Sequence, residues 1–194
     1  MARSKEFDES AVLEKAMRLF WEQGYEKTSM TELVEHMGIH RRSMYDTFGD
    51  KHTLFLKAMA RFEDKMNAAL AGGVKRSKTA AEALEFIFDF MIRLEVEEGM
   101  PSGCLMVNST VELAARDADV DTKSTEAFTK AEQILKEIIL WGQRDGEFTS
   151  EYDAGELAEY LHNVWVGIRV IARTSVAKEK LHRLANISMK LLEK

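Results

Sequence analysis

The sequence predicts an all-α protein, a small three-helix unit with the spacing of a helix-turn-helix joined directly to a larger helical domain. Three observations carry this. Pro101 is the only proline in 194 residues, so the chain lacks the punctuation that breaks β proteins into short strands. No run alternates Val, Ile or Thr with polar residues between turn signals, which leaves little room for sheet. Helix start and stop signals, in contrast, recur along the whole chain.

Asp8 can cap a first helix, with Phe7 and Val12 placed as a hydrophobic staple and Gly24 as its stop. Ser29-Met30-Thr31-Glu32 reads as a capping box. Met30, Leu33, Val34 and Met37 follow at helical spacing and Gly38 ends the run, so the second helix is about two turns long. A third begins near His40 and ends before Gly49. Asp50 opens a fourth, which runs toward a break at Ala71-Gly72-Gly73. Thr79-Ala80-Ala81-Glu82 is another capping box. Beyond it Leu84, Phe86, Ile87, Phe88, Phe90, Met91, Ile92 and Leu94 are apolar nearly all round, the pattern of a helix buried on most sides and central to its domain. Further helices are expected over roughly 103–115, 119–143, 153–173 and 178–192. With no repeat, low-complexity tract or linker in between, the chain divides into 1–50 and 51–194 at the start of the fourth helix.

Hydrophobic residues make up 45% and charged residues 31% of the chain, the balance of a globular protein and not of a disordered or membrane-spanning one. No apolar run approaches the length of a membrane helix, and Arg3, Lys5, Glu6, Asp8 and Glu9 have no apolar stretch behind them as a signal peptide would. A cytoplasmic protein without membrane partners is expected. The single cysteine, Cys104, excludes an intrachain disulfide and a multi-cysteine zinc site, and fits a reducing compartment. The net charge of -6 argues against a general nucleic-acid coat, whose affinity comes from broad phosphate neutralisation. Residues 1–53 carry eight basic against ten acidic side chains, so a focused nucleic-acid site would have to gather a few cations on one face.

Two short helices joined by a Gly-containing turn, behind one longer supporting helix, are the layout of a helix-turn-helix. The residues sharpen it. Ala16-Met17-Arg18-Leu19-Phe20, Gly24-Tyr25, Thr28-Ser29-Met30, Leu33-Val34, Gly38-Ile39, Met44-Tyr45 and Phe48-Gly49-Asp50-Lys51 closely resemble the N-terminal signature of the TetR family over about residues 10–58. The resemblance implies a three-helix DNA-binding domain followed by a helical ligand-binding and dimerisation domain. It implies a homodimer on a palindromic double-stranded DNA operator, usually a repressor, released by a small-molecule effector and needing no cofactor. Where many members begin the recognition helix with a small capping residue such as Ser, this chain has His40, so the local cap and the DNA sequence read would differ.

Arg41 and Arg42 fall in the first turn of the third helix, where the positive end of the helix dipole disfavours cations. A partner outside the helix is therefore expected, and a phosphate or the O6 and N7 of a guanine would serve. Solvated surface arginines are the competing reading. His40 and Ser43 adjoin them in the set expected at DNA. Thr28 and Ser29 sit at a helix N-terminus whose free N–H groups suit a phosphate, although Ser29 is also that helix's cap. By the resemblance, Tyr45 and Lys51 would also touch the DNA backbone. Met30, Leu33, Val34, Met37, Ile39 and Phe48 are assigned to the core.

In the second domain Gly103-Cys104-Leu105-Met106-Val107-Asn108, followed by Glu112-Leu113-Ala114, resembles an element of one branch of TetR regulators, some of which respond to reactive small molecules. Eleven Met and ten Phe suit an adaptable apolar cavity, with an ordinary core as the bland alternative. Phe62, Met66, Phe86, Phe90, Cys104, Asn108, Val111 and Trp165 are the expected pocket residues. His162 could line the same space with Trp165 and Arg169. If Ser102 caps the helix after Pro101, Cys104 lies in its first turn, where the dipole favours a thiolate; the alternative is a packed small hydrophobe. A helical binding protein or enzyme using Cys104, with a degenerate DNA-binding motif, is the competing function, but no base, phosphate loop or dinucleotide fingerprint accompanies it. His36 and His40 are four apart, but Gly38 interrupts the helix and a zinc site needs further ligands, so no metal is expected. Leu157, Leu161, Val164 and Ile168, with Leu181, Leu184, Ile187 and Leu191, form two apolar stripes that could pair across a four-helix dimer interface or pack within the chain.

Overall fold

A computed structural model describes residues 7–94, 101 and 103–193. Among them the chain forms nine α-helices, a closing 3-10 turn and no strand. The N-terminal unit follows its local signals. Asp8 caps α1 (Glu9–Gln23), its carboxylate accepting from the Ser10 amide at 2.8 Å. Both halves of the capping box are made at α2 (Met30–Met37), and Gly38 ends it in the left-handed conformation at φ 73°. His40 and Gly49 bound α3 (Arg41–Phe48), and Asp50 caps α4 (Lys51–Val74) through the Thr53 amide at 2.7 Å. Met17, Phe20, Leu33, Met37, Met44, Phe48, Leu54 and Phe55 close one core between these helices. Each such side chain contributes about 1.5–3 kcal/mol by leaving water.

Helix α4 ends at Val74, one residue past the Gly72-Gly73 pair where a break was expected. Gly73 is also a contact point, since a Cβ there would lie 1.9 Å from Cε1 of Phe86 on α5 (Ala80–Leu94). Helix α5 is buried on most sides, with Glu82, Glu85, Asp89 and Arg93 forming an exposed edge. Its N-terminus is closed from afar by the Glu147 carboxylate, which accepts from the amides of Ala80 and Ala81 at 3.1 and 3.0 Å, an anion on the positive end of the helix.

The centre of the larger unit is the pair α7 (Ala118–Asp145) and α8 (Ala154–Ile171). They run antiparallel, because Gly155 lies beside Lys136 while His162, farther along α8, bonds Glu132, farther back on α7. Helix α9 (Lys178–Met189) closes a second core with α5 and α8. Helix α6 (Leu105–Leu113) belongs to the first core and not the second, through Cys104, Leu105, Met106, Val107 and Leu113. It therefore touches both the N-terminal unit and the space between α4, α7 and α8. No helix among the described residues is long and apolar enough to cross a membrane.

Candidate nucleic-acid interface and ligand cavity

Helix α3 turns Met44 and Phe48, one turn apart, into the core. Its other face is a cationic and aromatic ridge. The Arg42 side chain is 92% exposed and meets only Asp46, at 3.7 Å, an exposed pair of little energetic weight. Arg41 lies over the Tyr45 ring at 5.9 Å, and Tyr45 is itself exposed. Ser43 is half-buried beside them. His40 is the N-cap residue but makes no side-chain capping bond, and the first turn of α3 holds no acid. The positive end of α3 thus faces solvent with two arginines on it, offset within the helix only by the exposed Arg42–Asp46 pair.

The helix α2 start is arranged differently from expectation. Thr28 is fully buried, and its Oγ1 donates to the Gly24 carbonyl at 2.6 Å. Its side chain cannot reach a ligand and serves the α1–α2 turn instead. Ser29 is exposed, but its Oγ accepts from the Glu32 amide at 3.2 Å while the Glu32 carboxylate accepts from the Ser29 amide at 2.9 Å. Those hydrogen bonds hold the Glu32 carboxyl below its usual range. Lys51 is half-buried, its Nζ 4.2 Å from the Tyr25 ring centroid; burial pulls its ammonium below the usual lysine value, against the opposing charges of Glu26 and Glu112.

Four contacts between the N-terminal unit or the start of α4 and the elements around α6 have no local sequence signal. The Glu112 carboxylate accepts from the amides of Tyr25 and Glu26 at 3.0 and 2.8 Å. Gly24 permits this, since at φ 84° it favours glycine and a Cβ would stand 2.7 Å from Glu112 Oε2. Arg116 pairs with Glu26 at 3.3 Å, His52 Nε2 bonds Asp117 at 2.8 Å, and Trp21 Nε1 donates to the Gly103 carbonyl at 2.9 Å. His36 and His40 flank Gly38 in separate elements. Among the described residues the one group of metal-ligating type is His52, Asp117 and Asp119, and Asp117 is already engaged as the N-cap of α7.

A small, mainly apolar cavity of about 60 Å³ opens between α4, α5, α6, α7 and α8, room for a few waters. Phe62, Met66 and Trp165 line it, as do His162 and Arg169. The remaining expected pocket residues lie elsewhere. Phe86 and Phe90 stack on each other at 5.8 Å, with Phe86 held against Gly73. Val111 is 81% exposed, because Ser109 and Leu113 take the inward positions and 111 falls half a turn away. Cys104 and Asn108 stand behind the lining. Cys104 is itself the N-cap of α6, without a side-chain capping bond and 2% exposed, so it is not inside the first turn as expected; Ser102 lies outside the described residues. Arg169 Nη1 donates to Cys104 Sγ. The wall that sequence reasoning missed is α7, where Ala127, Phe128, Ala131 and Ile134 line the cavity at a helical spacing that could have revealed it.

His162 Nδ1 lies 3.1 Å from the Glu132 carboxylate, with the rings of Phe128 and Trp165 packed on it. Burial pushes its imidazole below the ordinary value, Glu132 opposes this and the Arg169 charge adds to it. The apolar stripes resolve unevenly: Leu157, Leu161, Ile168 and Leu181 are spent inside the chain. What remains outside is a face of Tyr160, Asn163, Gly167 and Val170 on α8, with Ile187 and Leu191 exposed at α9 and the turn after it.

Residues 12–58 match the family model described as bacterial regulatory proteins, tetR family, and residues 80–187 match the tetracyclin repressor-like C-terminal domain. Over 194 residues, all of both chains, this chain is 30% identical to the uncharacterized HTH-type transcriptional regulator YezE of Bacillus subtilis (strain 168). It is 30% identical to the HTH-type transcriptional repressor ComR of Escherichia coli (strain K12), covering 97% of this chain and 90% of that one. Among solved structures, the TetR family transcriptional regulator CifR, a cysteine mutant in complex with 26 bp double-strand operator DNA, superposes with a TM-score of 0.88 at 26% identity, over 98% of this chain and 100% of that one.

Proposed function

This chain belongs to the TetR family of bacterial transcriptional regulators, and from that premise we propose that it is a homodimeric, cytoplasmic repressor that holds a palindromic operator and leaves it when a small effector enters the second domain. Residues 1–50 form the DNA-binding unit in this reading and 51–194 the effector-binding and dimerisation unit. The observation that carries it is the α3 ridge: two arginines and a tyrosine stand in solvent at an uncompensated helix start, which an operator phosphate or guanine edge would satisfy. Arg41 and Arg42 read bases, with His40 and Ser43 beside them. Ser29, Tyr45 and Lys51 take phosphates and set the register. ComR, named a repressor, and CifR, solved in complex with operator DNA, support the same direction.

The effector would occupy the cavity lined by Phe62, Met66 and Trp165, and α6 would carry the signal. One end of α6 stands against the cavity through Met106 and Val107, and the other grips the α1–α2 turn through Glu112. The two-fold contact is assigned to the outer face of α8 with α9, where Gly167 leaves room for close helix approach. The Cys104 enzyme reading lacks a general base at the thiol, since the polar group on its sulfur is the Arg169 guanidinium, which cannot take a proton.

Selection of bound DNA from a random pool tests this directly. Two related half-sites about one helical turn apart are expected. Recovery of no sequence preference would refute the operator reading.

A further inference from the structure

The cavity contains a cation without a counter-ion. Arg169 reaches from α8 between α5 and α6, with Nη1 on Cys104 Sγ, Nη2 on Met91 Sδ and the guanidinium 5.0 Å from the Trp165 ring centroid. Both sulfurs are weak acceptors, and the Arg169 Nε is buried with no acceptor. The acids around the cavity are engaged elsewhere: Glu132 bonds His162 at 3.1 Å, and Glu63 takes the Lys130 ammonium at 2.7 Å. Trp165, 6% exposed, lines the same space and has its Nε1 buried without an acceptor. Asn108 Nδ2, one turn along α6 from Cys104, is a third. Among the described residues these three are the buried side-chain polar atoms without a partner, and all three are donors.

A guanidinium stays charged, and in the partly buried Arg169 the Nε is sealed from solvent without an acceptor. The free groups all donate, and Arg169 is the charge on the cavity wall without an opposite charge on it, Glu63 being taken by Lys130, so what these groups lack is an anionic acceptor. We infer that the cavity takes a compact organic carboxylate, its charged group on Arg169 and Trp165 Nε1 and its apolar body among Phe62, Met66 and Phe128. The weak contacts to sulfur are given up easily for a forked pair with a carboxylate, and the methionines adapt to the shape of the body. A neutral ligand would leave the guanidinium as it is, and a cation would be repelled. This rests on the reading of the cavity as the effector site and names the class of effector.

Calorimetric titration of the full chain with acetate, propionate and isobutyrate, each paired with its amide and set beside inorganic phosphate, tests the inference. At least one carboxylate should bind saturably, with its amide and phosphate about tenfold weaker or worse. Arg169→Gln should lose that preference and Arg169→Lys should keep part of it. The same acid should raise the melting temperature of the wild type and not of Arg169→Gln, which is itself expected to melt no lower because it removes an unpaired charge. Equal binding of acid and amide, phosphate binding as tightly as the acids, an Arg169→Gln variant that binds like wild type, or no carboxylate binding at millimolar concentration would each overturn it. Anisotropy of a labelled operator separates the two readings. An acid that binds without weakening DNA affinity defeats the effector reading and leaves the anion site, whereas DNA binding with no acid bound defeats the anion site alone.

Discussion

Arg41 and Arg42 differ in their surroundings in a way that bears on what each can do. Arg42 is held by one exposed ion pair and Arg41 leans on Tyr45, so both can reorient at little cost. Replacing either with Ala is expected to cost about 1–3 kcal/mol of operator affinity and to relax preference at one position per half-site, read by equilibrium titration on point-substituted operators. Lys51→Ala should act differently, weakening all sequences alike and lowering the slope of log affinity against log salt by about one per subunit. A base-specific loss there would contradict its role as a phosphate contact. His162 concerns stability. Its folded-state value lies below the ordinary 6.5 chiefly through burial, so the unfolded chain takes up the proton first as pH falls. Its contribution is complete above 6.5 and is lost as pH drops through that value toward the folded one. Between about pH 7.5 and pH 5.5 the wild type should therefore lose more melting temperature than His162→Gln, which can still donate to Glu132.

At the scale of elements, α6 matters most and was the least legible. Its sequence marks a helix, and the observed bounds fall within two residues of the expected ones. Its role comes from its two ends. Glu112 satisfies two backbone amides of the α1–α2 turn that would otherwise lack an acceptor, across 87 and 86 residues of chain. Glu112→Ala should destabilise the fold by about 1–3 kcal/mol. Glu112→Gln, which keeps one acceptor oxygen, should cost less. Both should reduce the effect of a bound ligand on operator affinity, measured as the ratio of DNA dissociation constants with and without ligand; an unchanged ratio would remove α6 from the coupling. Gly73 shows the opposite case. Local propensity marks it as a break and α4 does end one residue later, but the approach of Phe86 is what requires a glycine there.

For the whole molecule, the unsatisfied surface is the outer face of α8 and α9. A Cβ at Gly167 would meet nothing within 4 Å in the single chain, so Gly167→Leu should leave the monomer fold intact and slightly favour its helix. In a dimer packed on this face, the same leucine would hold the helices apart. Sedimentation should then report a folded monomer with weakened operator binding. A dimer of unchanged affinity would place the two-fold axis elsewhere.

The sequence by itself determined the helices of the N-terminal unit, their caps and the exposed positions on α3, because capping boxes, left-handed glycines and one-turn spacings are local chemistry. The family signature followed from the same residues. Tertiary structure alone decided which apolar residues line a cavity and which only pack, since Phe62, Phe86 and Val111 look alike until neighbouring helices are placed. It also decided that Thr28 is sealed in a turn, that Leu161 and Ile168 are spent inside the chain, and that Arg169 has its Nε buried without an acceptor and no acid beside it. Burial and pairing are properties of surfaces brought together from distant parts of the chain, and a periodic pattern specifies a face without specifying what meets it.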